Sequence, residues 1–313
     1  MKRVEGAIAA IDIGSDTIHL LVGVPSGPPD AGVVERVEQR GELIELGRRV
    51  ARKGQIGERA ARELEALLLG YAAVARKRTD RVVVGATEAL RRASDGPALV
   101  ERLGQRAGLA VRVLSGEREA QLGFAGVAHR LDAAGPQVLI DSGGASTELT
   151  VCDGRAALAS ASLPVGAALL GASLVGDPPD ALSWALGGTL IGQALAAAPA
   201  GAPARAFATG GSAHNLAGLE RTKGREGLQV LTVAALRQKA AELLAVPSAK
   251  LARRSGEDPR RVAILPPGLL IVAAVLDHYH LDRVTVVPEG LRDGMILAAA
   301  ALGDDWWRSE GTA

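Results

Sequence analysis

Asp12 and Asp141 each stand at the end of an apolar run and are followed by a short glycine-containing turn. The first stretch reads AIAAIDIGSDTIHLLVGV over residues 7–24, the second VLIDSGGASTELTV over residues 138–151. Asp and Gly suit tight hairpins, so either stretch alone reads equally as a plain turn between two strands, with its aspartate as a cap. The pair says more. With Asp12 set on Asp141, Gly14 falls on Gly143, Ser15 on Gly144, Thr17 on Ser146 and Leu20 on Leu149, without gaps, at an offset of 141 − 12 = 129 residues. Glycines let a backbone approach a ligand closely, and consecutive amide N–H groups form an anion-binding nest. The chemistry such turns suit is the holding of a phosphate chain. A third stretch, ATGGSAHNL over residues 208–216, places Gly210, Gly211 and Ser212 in a turn between a predicted strand and a helix, whose N-terminus favours anions. The candidate phosphate contacts are therefore Gly14, Ser15, Asp16 and Thr17, then Gly143, Gly144, Ala145, Ser146 and Thr147, then Gly210, Gly211 and Ser212.

Three carboxylates, Asp12, Asp141 and Glu148, would lie near any phosphate so held, and like charges at that range repel. They fit if a Mg²⁺ ion intervenes or if one of them activates water. A strand facing only a core would not choose Glu148. Counter-charge comes mainly from arginine, because lysine occurs only at 2, 53, 77, 223, 239 and 250. Arg91 follows a buried strand in GATEALRRASDG, and Arg48, Arg49, Arg52 and Lys53 form a second cluster that reads as anion contacts or as solvated surface. His278 and His280 have no nearby Cys or Glu partner and make a weak metal signal.

The elements that position these residues follow from periodicity. In the first half, residues 33–47 read as a third strand, 57–77 as an amphipathic helix, 81–93 as a strand entering a helix, 109–116 as a strand and 117–131 as a helix. The order βββαβαβα restarts at 138, with strands to 162, helices at 165–175 and 181–197, and an Ala/Pro/Gly-rich loop at 194–206. A strand–turn–helix at 206–219, helices at 231–246 and 267–280, and a closing strand–turn–helix complete the pattern. The expected division is a first domain over 1–128, a second over 129–296, and a C-terminal segment 297–313 packing back on the first, with Trp306 and Trp307 as the tether. A small-ligand cleft is expected between the halves.

Composition limits the function. The 313 residues are 48% apolar and 23% charged, as in globular proteins, and length suffices for two cores. Aromatics at 2% leave few stacking platforms for bases, so nucleic acid is not an expected partner. The net charge of +1 attracts no anion globally; any anion site is local. One cysteine, Cys152, forms no internal disulfide and suits a reducing compartment as a small packing residue. The N-terminus lacks a secretory apolar core, and LLIVAAVL at 269–276 is too short to span a bilayer, so a cytoplasmic protein without a membrane partner is expected.

Taken together, IDIGSDTIHLLV, GATEALRRA, LSGEREAQLGFAGV, LIDSGGASTELT, SLPVGAALL, ATGGSAHNLAG and VVPEGLRDGMIL resemble, in order along the chain, the exopolyphosphatase/guanosine pentaphosphatase (Ppx/GppA) family. The resemblance is to the short, two-domain members and implies an α/β, actin-like (ribonuclease H-like) fold built from a duplicated βββαβαβα unit. It implies that Glu119 is the general base for the attacking water, that Asp141 and Glu148 serve the metal and the terminal phosphate, and that Arg91 contacts phosphate. The implied activity is an exopolyphosphatase that releases orthophosphate, with guanosine pentaphosphate (pppGpp) as the alternative substrate. A small-molecule kinase or ATPase of the same superfamily, and a non-catalytic polyphosphate or alarmone sensor, are the rival readings. A second copy of the chain is an admissible partner. The chain departs from the family at Asp16-Thr17, usually Asn-Ser, at Ala145, usually Gly, and at Ala263, often Asp. A positive φ at Ala145 would cost on the order of 1 kcal/mol.

Overall fold

In the computed structural model, which describes residues 2–28, 31–217, 228–256 and 258–309, two sheets form from the two halves of the chain. Contacts divide the molecule into one unit of Met1–Leu131 with Glu289–Ala313 and another of Asp132–Pro288. The chain thus returns to the first unit at Glu289, earlier than the expected residue 297. Of that closing segment, residues 310–313 lie outside the described residues.

The first unit opens with β1 (Ile8–Ile13), β2 (Thr17–Ser26) and β3 (Val33–Leu43), all antiparallel neighbours. Two helices follow, α1 (Leu46–Lys53) and α2 (Glu58–Arg76). Next come β4 (Val82–Ala86), α3 (Glu88–Arg92), α4 (Gly96–Ala107), β5 (Val111–Val113) and α5 (Gly116–Val127). The sheet order is β3-β2-β1-β4-β5, with β4 and β5 parallel to β1 and to each other. Central β1 is apolar on both faces, as a strand covered on both sides must be. Its Ala9, Ile11 and Ile13 join a core with Leu64 and Leu68 of α2, and its Ile8 and Ala10 join another with Leu122 of α5. That second core is closed by Met295, Ile296 and Ala299 of α13 (Leu291–Leu302). Helices α5 and α13 meet backbone to backbone: a Cβ on Gly294 would stand 1.8 Å from the Leu122 carbonyl oxygen, and one on Gly126 2.1 Å from that of Gly290. Beyond α13, the buried Trp306 offers its carbonyl to Arg118 Nε at 3.0 Å, and the Arg112 guanidinium lies 4.8 Å from the Trp307 ring centroid.

The second unit repeats the start with β6 (Pro136–Ser142), β7 (Thr147–Asp153) and β8 (Ala156–Leu163), again antiparallel. Then come α6 (Ala167–Gly171), α7 (Ala181–Leu195), β9 (Arg205–Thr209), α8 (Gly210–Ala217), β10 (Gln229–Thr232), α9 (Val233–Ala245), α10 (Ser248–Ser255), α11 (Pro259–Ala263), α12 (Leu265–His278) and β11 (Arg283–Val286). The order is β10-β11-β9-β6-β7-β8, with β6, β9 and β11 parallel. Val138, Ile140, Leu149 and Ala208 of this sheet share one core with Leu269, Val272 and Leu276 of α12.

In both sheets three antiparallel strands lead into parallel ones, the duplicated ribonuclease H-like, actin-like arrangement. Several elements differ from expectation. The strand at 33–47 stops at Leu43, and the basic cluster forms helix α1, capped by Gly54 with φ 67°. Residues 231 and 232, expected to open a helix, instead end β10, which pairs with β11, and the Thr232 hydroxyl caps α9 by accepting from Ala235 N at 3.1 Å. Residues 218 and 219 of the expected strand–turn–helix lie outside the described residues. No helix among the described residues is long and apolar enough to cross a membrane.

Candidate active site

The two Asp-x-Gly turns share one geometry. Gly14 N donates to Thr17 O at 3.1 Å, and Gly143 N donates to Ser146 O at 3.0 Å, the same bond at the offset read from the sequence. The carbonyls behind each turn are tied to the start of the next helix. Ser15 O accepts from Gly47 N (2.7 Å) and Asp16 O from Ile44 N (2.7 Å). In the second unit Gly143 O accepts from Ala167 N (2.9 Å) and Gly144 O from Ala168 N (2.7 Å). A trans peptide points its N–H opposite to its C=O. The amides of Asp16 in the first turn and of Gly144 and Ala145 in the second therefore face away from those helices. Among the described residues they donate to no backbone carbonyl. Ala145 takes no positive φ, so the cost attached to one does not arise. Gly166 sets the close approach of the α6 start: a Cβ on it would stand 2.5 Å from Ala145 N.

Gly210 and Gly211 do not form a separate turn; they are the first residues of α8, directly after β9. Gly210 has φ 83°, and a Cβ there would stand 2.4 Å from Asp141 Oδ1, so the carboxylate lies over the glycine. Ser212 is buried with its Cβ against Gly268 of α12, and its hydroxyl has no hydrogen-bond partner among the described residues. Thr147 is fully buried, and its hydroxyl donates to Val165 O at 2.7 Å, so this side chain is committed to the backbone before α6. Ser146 is buried beside it.

Asp141 and Glu148 are direct cross-strand partners in the β6–β7 ladder, on the face opposite Val138 and Ile140. Glu148 is only 4% exposed and accepts from Ser162 Oγ at 2.7 Å. A Mg²⁺ ion typically takes one or two protein carboxylates and completes its shell with water and substrate phosphate. This pair is a donor set of that kind. Among the described residues no group of three or more His, Cys, Asp or Glu gathers as a metal cluster.

In the first unit, α5 carries Glu119, 7% exposed, in the turn after its cap Ser115. Arg91 of α3 reaches it, with Nη1 3.4 Å from Glu119 Oε2, and also bonds Glu88 (Nε to Oε2, 2.9 Å) and the Leu114 carbonyl. The guanidinium thus joins the β5–α5 connection to α3 and holds the Glu119 carboxylate. Asp12, opposite His19 in the β1–β2 ladder, has Oδ1 buried with no hydrogen-bond partner among the described residues. Burial pushes its carboxyl up to about 6, against the opposing charge of Arg292. Asp16, in the first turn, is pushed up to about 7 by burial and by the neighbouring Glu45. Glu45 itself sits at φ 53°, a left-handed position at the α1 N-cap. Sequence reasoning did not single out Ser162, Gly166 or Arg292; SLPVGAALL and VVPEGLRDGMIL held these positions, but nothing local shows what they touch.

The sequence profile of the Ppx/GppA phosphatase family matches residues 29–301. Exopolyphosphatase 1 of Mycobacterium leprae is 28% identical over 93% of this chain and 88% of its own length. A guanosine-5'-triphosphate,3'-diphosphate pyrophosphatase of Vibrio atlanticus is 26% identical over 92% of this chain but 58% of its own length. The solved Aquifex aeolicus PPX-GPPA enzyme is 26% identical, with a TM-score of 0.76 covering 93% of this chain and 99% of that one. An exopolyphosphatase structure from Cytophaga hutchinsonii, 21% identical with a TM-score of 0.83 over 94% of this chain and 98% of that one, shows the same fold. With its duplicated turns, its α/β architecture and this match in agreement, the chain belongs to the Ppx/GppA phosphatase family.

Proposed function

We propose that the protein is an exopolyphosphatase, hydrolysing the terminal phosphoanhydride of inorganic polyphosphate and releasing orthophosphate. The observation that carries this reading is the repeated turn whose amides face away from the helix behind it, one in each unit, each beside an aspartate. Similarity to the Mycobacterium leprae exopolyphosphatase over 88% of its length favours polyphosphate. The Vibrio pyrophosphatase is matched over 58% of its length.

The residues divide the work as follows. Backbone amides of Ser15 and Asp16, and of Gly144 and Ala145, bind phosphoryl oxygens, while those of Gly14 and Gly143 close the turns. Glu119 takes a proton from water as its oxygen bonds to the terminal phosphorus and the bridging P–O bond breaks. The shortened polyphosphate leaves as a stable anion and needs no protonation in that step. Arg91 keeps the Glu119 carboxylate in place and adds positive charge beside it. Asp141 and Glu148 would hold Mg²⁺ or Mn²⁺, which supplies charge neutralisation on the transferring group. Such a reaction rests on positioning and electrostatics more than on covalent chemistry.

The test is phosphate release from polyphosphate and from pppGpp in parallel, with and without Mg²⁺. The expected result is Mg²⁺-dependent release with polyphosphate the better substrate by kcat/KM. Faster release from pppGpp would transfer the assignment to the alarmone. Tight binding of either with no release at any divalent metal would make the protein a sensor.

A further inference from the structure

Glu148 lies in a row of four residues that crosses the second sheet at one level: Thr209 on β9 pairs with Asp141 on β6, Asp141 with Glu148 on β7, and Glu148 with Ser162 on β8. Direct cross-strand partners share a face, so all four side chains stand on the same side. The first unit has the equivalent row, Gly85 on β4, Asp12 on β1, His19 on β2 and Gly41 on β3. The two rows differ in what flanks the acid. Where the second unit has the hydroxyls of Thr209 and Ser162, the first has glycine at both ends. At Gly41 the exchange has a steric reason, because a Cβ there would stand 2.5 Å from His19 Nδ1. The ring occupies the space that a serine side chain would need. A hydroxyl at the β8 position is therefore no general requirement of this sheet; it occurs in the unit whose neighbouring strand carries a buried glutamate.

Ser162 Oγ donates to Glu148 Oε1 at 2.7 Å. A buried carboxylate that binds a cation must keep one orientation, and a donor on one oxygen restricts rotation about the last side-chain bond. The strand repeats the device one step inward, where Ser160 Oγ and Thr150 Oγ1 lie 3.1 Å apart. We infer that Ser162 is a positioning residue for the divalent cation at the Asp141–Glu148 pair, its hydroxyl fixing the Glu148 carboxylate from β8. The inference rests on the cation role given to that pair under the proposed function, but not on the identity of the substrate.

The test is direct Mn²⁺ binding to the full chain, followed by electron paramagnetic resonance, for wild type, S162A, S162T, E148Q and the S162A/E148Q double variant. Weakening of Mn²⁺ binding by about tenfold or more is expected in S162A, the scale on which supporting ligand partners act. S162T keeps the hydroxyl and should stay within about twofold of wild type. In the E148Q background S162A should add no further loss, which a merely structural serine would not reproduce. Should S162A fail to fold, S162C replaces it with a similar volume and a weak donor. Wild-type Mn²⁺ affinity in S162A, an equal loss with and without Glu148, or a wild type that binds no Mn²⁺ would each overturn the inference. Ser162-dependent Mn²⁺ binding in a protein that releases no phosphate from polyphosphate would instead overturn the substrate reading and leave Ser162 in its role.

Discussion

Glu119 is a carboxylate that the fold goes to some length to bury and hold, with Arg91 as its ion-pair partner. If it takes the proton of the attacking water, Glu119→Gln removes the base but keeps the shape. Turnover should fall by about 10²–10⁴-fold while KM changes only a few-fold, read from steady-state phosphate release. Unchanged release would dismiss the role. Asp16 gives a prediction of another kind. Partial burial beside Glu45 pushes its carboxyl up to about 7 when folded, against an ordinary value of 3.8. Between those values the folded chain holds a proton that the unfolded chain has lost. The stabilisation is complete below about pH 4 and is lost as pH rises through about 7. Asp16→Asn removes the titration, so its melting temperature relative to wild type should rise between pH 5 and pH 8.5. A difference that stays constant over that range would show an ordinary, solvated carboxyl.

Helices and strands act here through close approaches that no side chain mediates. Gly294 of α13 lies against the Leu122 carbonyl of α5, and backbone there has no flexible end to move aside. Gly294→Ala should cost more than about 3 kcal/mol by chemical denaturation, in the range of severe overpacking. Whatever remains folded should lose phosphate release as well, because α5 carries Glu119. Gly70 of α2 is the control, since a Cβ there would meet nothing within 4 Å. Gly70→Ala should be neutral or stabilising by up to about 1 kcal/mol. Equal outcomes for the two alanines would dissolve the argument from helix contact. The hairpins follow the same principle: each turn owes its amide direction to the first turn of the helix that receives its carbonyls, α1 in one unit and α6 in the other.

The molecule as a whole holds separate cores for its two units. Ile140 belongs to the core built with α12, whereas Leu64 belongs to the one built on β1 and α2. Truncating either to alanine should cost about 2–5 kcal/mol. Because the cores share no residue, Ile140→Ala should lower hydrogen-exchange protection first in β6, β7 and β9, and Leu64→Ala first in β1 and β4. Uniform loss across both sheets in either variant would mean that the chain unfolds as one cooperative body.

The sequence by itself determined the repeated strand–turn–strand and the central strands, because turn chemistry and period-two apolar patterning are local properties of neighbouring residues. It also marked Asp12, Asp141 and Glu148, since a carboxylate at the end of a buried run conflicts with its surroundings. Only the tertiary structure decided which hydroxyls are spent. Thr147 bonds the Val165 carbonyl, while Ser162 reaches Glu148. It decided too that Arg91 braces Glu119 and that α13, which follows the second unit in sequence, closes a core with α5. Those partners are far apart in sequence, and packing rather than any local pattern selects them. Side-chain spacing along one strand or helix therefore carries no trace of them.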